Sequence, residues 1–180
     1  LVHISNFRKV KRVKDVIKIF DRVNKEIPSK LLMVGDGPER IQVEQLSREL
    51  GLDNRVKFLG KLRVIENILA ISDIFVLPSE TESFGLVALE AAACGTPVVA
   101  ASVGGLQDLV LHGTTGYLVN ERDPKLYAHY ARQILENPLH GAEIAMNAVE
   151  KAQQYSWEKT SDQILNLYTS VTTRALVDCR

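Results

Sequence analysis

Ile74-Phe75-Val76-Leu77-Pro78-Ser79-Glu80-Thr81-Glu82-Ser83-Phe84-Gly85-Leu86-Val87-Ala88-Leu89-Glu90 is the stretch that decides the fold. Its first four residues form an unbroken apolar run, the pattern of a strand buried on both faces of a parallel sheet. From Leu86 to Cys94 the chain is rich in Ala and Leu and reads as a helix closed by Gly95 and Pro97. The unit is therefore strand, loop, helix. Glu82 lies in the loop and Glu90 on the helix. Between them the backbone N–H groups of Phe84, Gly85 and Leu86 open a helix N-terminus, and such an end attracts phosphate. Carboxylates accept hydrogen bonds from sugar and ribose hydroxyls. Acids beside an anion-binding helix end suit a nucleotide sugar.

Working outward, the same alternation continues. Strand-like runs are Leu1–Ile4, Lys30–Val34, Val56–Leu59, Asp73–Leu77, Pro97–Ala101 and Gly116–Val119. Val13, Val16, Ile17, Phe20 and Val23 form one face of a first helix. Pro38 suits the first turn of a second, whose stripe is Ile41, Leu46 and Leu50, ending at Gly51. Ile65, Ile68 and Leu69 mark a third. This order predicts an α/β fold, a parallel sheet with helices on both sides. From Pro124 onward the chain is helical, with apolar stripes at Leu126, Tyr130, Ile134 and at Ile164, Leu165, Leu167, Tyr168. Ser156 is the expected cap of the last helix, with Trp157 as its packing anchor.

The 180 residues suit one domain, and 46% apolar content supports a folded core. Acidic and basic residues number 22 each, so there is no global charge argument for nucleic acid or an anionic membrane. Cys94 and Cys179 show no ligand spacing, which fits a reducing, cytoplasmic setting. No apolar run approaches the ~20 residues of a membrane span, and no signal peptide is visible. The opening on a strand without a start methionine suggests a piece of a longer protein.

Ligands of open parallel sheets bind beyond the carboxyl ends of the strands. That rule selects five loops: 5–12, 35–38, 60–63, 78–84 and 102–106. The first holds Arg8, Lys9, Lys11, Arg12 and Lys14 in or beside it. The cluster reads either as a solvated charge run or as a grip for a diphosphate. Its place at a strand end favours the grip at Lys11 and, less so, at Arg8; Lys9, Arg12 and Lys14 read as solvated. Gly35 and Gly37 allow either a close approach of backbone to ligand or a tight turn. Gly104-Gly105 stays open between tight packing and a ligand wall. Glu80 reads as a surface acid, because two carboxylates without an Asp-x-Asp companion are too few oxygens for a hard cation. His3, His112, His129 and His140 read as structural, and Cys94 as a small core residue.

Together these residues resemble the retaining glycosyltransferases of family four, which have the GT-B architecture. The resemblance covers nearly the whole chain and corresponds to that family's C-terminal, nucleotide-sugar-binding domain, a Rossmann-like sheet with extra C-terminal helices. It rests on Glu82 and Glu90 as an E-x7-E motif, on Ser83-Phe84-Gly85-Leu86, and on Leu32–Pro38, Val56–Gly60 and Gly95–Val99. Val103–Gly105 and Gly113–Val119 add to it. Within the family, the segment 3–12 is most similar to the N-acetylglucosaminyl-malate synthases of bacillithiol biosynthesis, which use UDP-N-acetylglucosamine and L-malate.

The resemblance implies roles. Lys11, with Arg8, would neutralise the leaving diphosphate, since Asn6 occupies a position that in the family often holds Arg. Glu90 would hold the ribose. Glu82, Ser83, Phe84, Gly85 and Leu86 would hold the sugar and phosphate. Gly60, Lys61 and Leu62 would meet the uracil through backbone atoms, and Gly35 and Gly37 are counted with the donor-binding residues. Transfer would retain configuration and use neither a metal nor a further cofactor. The partners expected are the nucleotide-sugar and an N-terminal domain outside these residues, with a homodimer favoured if the last helix, 157–173, exposes its apolar stripe. Two rival readings remain: a nucleotide-sugar-binding or regulatory module without transfer activity, and a UDP-N-acetylglucosamine epimerase of the same architecture.

Overall fold

The computed structural model describes residues 1–177; Cys179 lies outside them. Six strands, β1 (Val2–Asn6), β2 (Leu31–Asp36), β3 (Val56–Gly60), β4 (Phe75–Leu77), β5 (Val98–Ala101) and β6 (Gly116–Val119), form one sheet. All pairings are parallel, and the order is β3-β2-β1-β4-β5-β6. Each predicted strand is present, with ends shifted by up to two residues. The strand order reverses direction between β1 and β4, and in open sheets that reversal is where ligands bind.

Eight helices accompany the sheet: α1 (Val13–Asn24), α2 (Arg40–Glu49), α3 (Glu66–Ala70), α4 (Leu86–Ala93), α5 (Leu106–Leu109), α6 (Pro124–Glu136), α7 (Pro138–Ala152) and α8 (Trp157–Val177). Strand side chains alternate between two cores, as the pleat requires. On one face Leu31, Met33, Val76 and Val99 pack against α1 and α6 through Ile17, Phe20, Tyr127 and Ile134. On the other, Val2, Ile4, Phe75 and Val98 pack against α3, α4 and α5. Ala92, Ala148 and Ala152 join α4 to α7, where small side chains let the helices approach.

The structure corrects three helical expectations. α2 does not bury Ile41, which is 76% exposed; Val43 and Ser47 face inward instead, with Leu46 partly covered. Pro38 lies ahead of α2, in the turn before it. The reason for the exposed Ile41 is helical spacing: it stands five residues before Leu46 and so on another side of the helix, whereas Val43, Leu46 and Ser47 follow the i, i+3, i+4 pattern of one face. Trp157 is 87% exposed and anchors nothing, and Ile164, Leu165, Leu167 and Tyr168 are likewise exposed. α8 leaves the body after a short 3-10 turn at Gln153–Tyr155, so its stripe has no opposing surface among the described residues. Ser156 does cap it, its hydroxyl accepting from the Lys159 N–H at 3.3 Å. No helix among the described residues is long and apolar enough to cross a membrane.

Candidate functional site

A cleft of about 500 Å³ opens where the strand order reverses. The end of β1 (Ile4, Ser5, Asn6) forms one wall, and Leu77 with the stretch Glu82 to Val87 forms the other. Lys11 reaches in from the loop after β1. Two backbone hydrogen bonds set this geometry. The Glu80 N–H donates to the Val10 carbonyl at 2.8 Å, tying the β4 loop to the β1 loop. The Gly105 N–H donates to the Ser83 carbonyl at 3.2 Å, tying it to the β5 loop.

Lys11 Nζ forms an ion pair with Glu82 Oε1, their side chains only 20% and 12% exposed. Ser79, itself buried, donates its hydroxyl to the same Oε1 at 2.9 Å. Both partners meet one oxygen, and among the described residues no hydrogen bond or ion pair engages Oε2. Lys11 is the one cation among the described lining residues, and α4 points its N-terminus at the same space from Gly85 onward. Orphan N–H groups and the positive end of the helix favour an anion there.

Beneath the wall His3 is fully buried. Its Nδ1 lies 2.8 Å from the Val76 carbonyl oxygen and its Nε2 2.8 Å from Ser5 Oγ. Burial, more than any other factor, lowers its pKa to about 4; the Val76 carbonyl opposes this and the Lys11 charge adds to it. The ring is therefore neutral near pH 7, in keeping with a structural histidine.

The cleft brings together Lys11, Glu82, Ser83, Phe84, Gly85 and Leu86 from the residues expected to act. It does not bring in Arg8, which is exposed and outside the lining, whereas Asn6 lines it. Glu90 lies on α4 outside the lining; burial and then the Glu66 charge on α3 push its carboxyl up. Gly60 ends β3 and Lys61 and Leu62 follow it on the same sheet edge, again outside the cleft lining. Gly35 and Gly37 are held for packing. A side chain on Gly35, at φ 122°, would overlap the Ser5 carbonyl, and a Cβ on Gly37 would stand 2.8 Å from the Phe7 carbonyl oxygen. Their missing side chains make room for β1 and its loop, as a tight turn there requires.

Gly104 and Gly105 resolve the same way. A side chain on Gly104 would overlap the Glu82 carbonyl, and one on Gly105 would stand 2.7 Å from the Ser83 carbonyl oxygen. They let the β5 loop press against the back of the Glu82 segment. Arg12 is not solvated: its guanidinium pairs with Asp15 at 2.5 Å and donates to the Arg122 carbonyl at 2.9 Å. Glu80 turns outward to Arg122 at 3.3 Å while Glu82 turns inward to Lys11. The two carboxylates thus do not face one ion. Ser5 and Ser79 were not singled out by the sequence reading. His3-x-Ser5 at a strand's carboxyl end was the available signal for Ser5, since residues two apart share a face.

Comparison with known proteins follows the same lines. The profile of "Glycosyl transferases group 1" matches residues 1–155. An N-acetyl-alpha-D-glucosaminyl L-malate synthase of Bacillus anthracis is 44% identical over 172 residues, 95% of this chain and 44% of that protein. Anabaena Alr3699/HepE, solved in complex with UDP, superposes with a TM-score of 0.87 at 32% identity, over 94% of this chain and 48% of that one. A C-terminal domain of a Francisella tularensis glycosyl transferase group 1 protein (LpcC) superposes with a TM-score of 0.77 at 25% identity. There the match covers 86% of this chain and 84% of the domain. The chain spans less than half of the malate synthase and of HepE.

Proposed function

The chain belongs to the glycosyl transferases group 1 family, and from that membership we propose that it binds the nucleotide-diphosphate sugar for a metal-independent, retaining transfer. The observation that carries this reading is Lys11 paired with Glu82 at the mouth of α4, in the cleft where the sheet reverses. A cation, a helix N-terminus and a carboxylate with one open oxygen meet there. Diphosphate calls for the first two and sugar hydroxyls for the third.

In this reading Lys11 turns from Glu82 Oε1 toward the diphosphate and neutralises the charge that develops as the glycosidic bond breaks. Stabilising that leaving group is electrostatic work, done by groups already in place. Glu82 is then free to accept from the sugar, with Ser79 holding its carboxylate in position. Glu90 takes the ribose hydroxyls, and the 60–62 loop takes the base. With Arg8 outside the cleft and Asn6 on its wall, Lys11 and the α4 N-terminus carry the phosphate charge between them.

The sugar nucleotide proposed is UDP-N-acetylglucosamine and the acceptor L-malate, on the strength of the likeness to the Bacillus anthracis synthase. UDP is also the ligand in the HepE complex. The overlap with the LpcC C-terminal domain supports placing the acceptor contacts in a separate domain, so that residues 1–180 bind without completing transfer. Calorimetry of UDP and UDP-N-acetylglucosamine against the chain, with and without EDTA, tests this. Binding in roughly the range of tens of micromolar to millimolar, unchanged by EDTA, is expected, about −4 to −6 kcal/mol. No binding of either ligand, or binding only with a divalent ion, would sink it.

A further inference from the structure

The wall of the cleft carries a hydroxyl whose direction is fixed from beneath. His3 and Ser5 lie on one face of β1, two residues apart, with Ser5 nearer the carboxyl edge. A carbonyl oxygen only accepts, so the 2.8 Å contact between His3 Nδ1 and the Val76 carbonyl puts the ring proton on Nδ1. In the neutral ring Nε2 is then a bare acceptor. Its 2.8 Å contact to Ser5 Oγ is one the serine must donate. With its proton committed downward, the Ser5 oxygen offers the cleft lone pairs and nothing else.

We propose that Ser5 Oγ accepts a hydrogen bond from a hydroxyl of the bound sugar, and so selects a sugar nucleotide over the bare nucleotide diphosphate. The inference rests on the nucleotide-sugar reading above. An ionised phosphate oxygen has no proton to give. For Ser5 to donate to it, the hydroxyl would turn from His3 and leave Nε2 without this partner inside a fully buried ring, which is costly. A sugar hydroxyl meets no such barrier. Glu82 lines the same cleft, and Lys11 and Ser79 both engage its Oε1, so the carboxylate is a second acceptor for a polyol there. Ser5 is thus a specificity residue, and His3 the positioning residue that holds its polarity.

The test is calorimetry of UDP-N-acetylglucosamine and UDP against the wild-type chain and Ser5→Ala, Ser5→Cys and Ser5→Thr, each checked by thermal melting. Ser5→Ala should weaken the sugar nucleotide about 3–10-fold and leave UDP within about twofold. Cysteine keeps the size but is a weak acceptor, so Ser5→Cys should show the same selective loss should alanine prove unstable. Threonine keeps the hydroxyl and should restore the selectivity. A loss of structure alone would weaken both ligands together. Equal weakening of both, or none, in cooperatively melting variants overturns the inference while the nucleotide-sugar reading stands. A wild-type chain that binds neither ligand overturns both.

Discussion

Lys11, in the loop after β1, and Glu82, in the loop after β4, form an ion pair across the point where the sheet changes direction. They are 71 residues apart in sequence, and only a parallel sheet with β1 beside β4 brings them together. The pair is partly shielded from water, so its partners hold each other in place until a ligand separates them. If Lys11 leaves Glu82 for the diphosphate, as proposed, and meets no other part of the ligand, Lys11→Ala should weaken UDP and spare uridine. A lost hydrogen bond to a charged group is about 1.5–3 kcal/mol, or roughly 10- to 100-fold in Kd. Added salt should copy the effect in part. Uridine weakened as much as UDP, with the fold intact, would remove the basic loop from the phosphate site.

Glu90→Gln should fail differently. Its carboxyl lies outside the cleft lining, just over one turn along α4, where burial and Glu66 raise its pKa. Gln keeps the shape but gives up the charge, so uridine and UDP should lose affinity alike, by about 1.5–3 kcal/mol. Glu66→Gln should lower the Glu90 pKa and extend tight uridine binding to lower pH. A titration of uridine affinity against pH reads this directly; an unmoved profile would detach Glu66 from Glu90.

Gly104 and Gly113 make a paired test of backbone packing. Both have positive φ, 50° and 77°, so alanine strains either one. Nothing stands within 4 Å of a Cβ at Gly113, whereas Gly104 would drive one into the Glu82 carbonyl. Gly113→Ala should cost about 1 kcal/mol, near 2–4 °C in Tm. Gly104→Ala should cost about 3 kcal/mol or more and displace Glu82 as well, lowering UDP-sugar affinity. Equal melting shifts for the two would mean that the loop behind Glu82 yields easily.

Much of this was legible in the sequence because it is local. Each strand is a short apolar run, and the Glu82–Glu90 unit carries its own loop and helix signals, so sheet and site loops could be placed without knowing strand order. What required the fold was partnership across it. Nothing near Gly104 says that its neighbour is Glu82, and nothing near Arg12 says that the Arg122 carbonyl takes its guanidinium. The α2 stripe misled because Ile41 is apolar but five residues from Leu46, off the face that Val43, Leu46 and Ser47 share at i, i+3, i+4, and a serine in that face hid it. Trp157 misled because size alone predicts burial, and α8 has left the surface it would need.

α8 gives a separable prediction. It presents Trp157, Leu165, Leu167 and Tyr168 to solvent and packs chiefly on the turn before it. A chain ending at Ser156 should melt within about 2–4 °C of the full chain, since less than ~1 kcal/mol of packing is removed. It should also self-associate less, because a contiguous apolar stripe is gone. Analytical ultracentrifugation beside melting checks both. A large fall in Tm would show that α8 is covered in solution.

The last prediction concerns acid stability. His3 is neutral in the folded chain, with its pKa lowered from 6.5 to about 4, chiefly by burial. Unfolding returns it to its ordinary value. Between those two pH values the unfolded chain binds about one proton more than the folded one, so stability rises with pH across that window. Running downward, the His3 contribution is intact above pH ~6.5 and is lost progressively toward pH ~4, on the order of 3 kcal/mol in all. Carboxylates also titrate in acid, so the measurement is a difference. Urea melts at pH 7, 6 and 5 should show a steeper loss for the wild type than for His3→Gln, which cannot take the proton. Parallel slopes would mean that the ring takes up its proton in the fold as readily as in the unfolded chain, and a shallower loss for the wild type that it is already charged there; a charged ring would donate through Nε2 to Ser5 rather than accept from it.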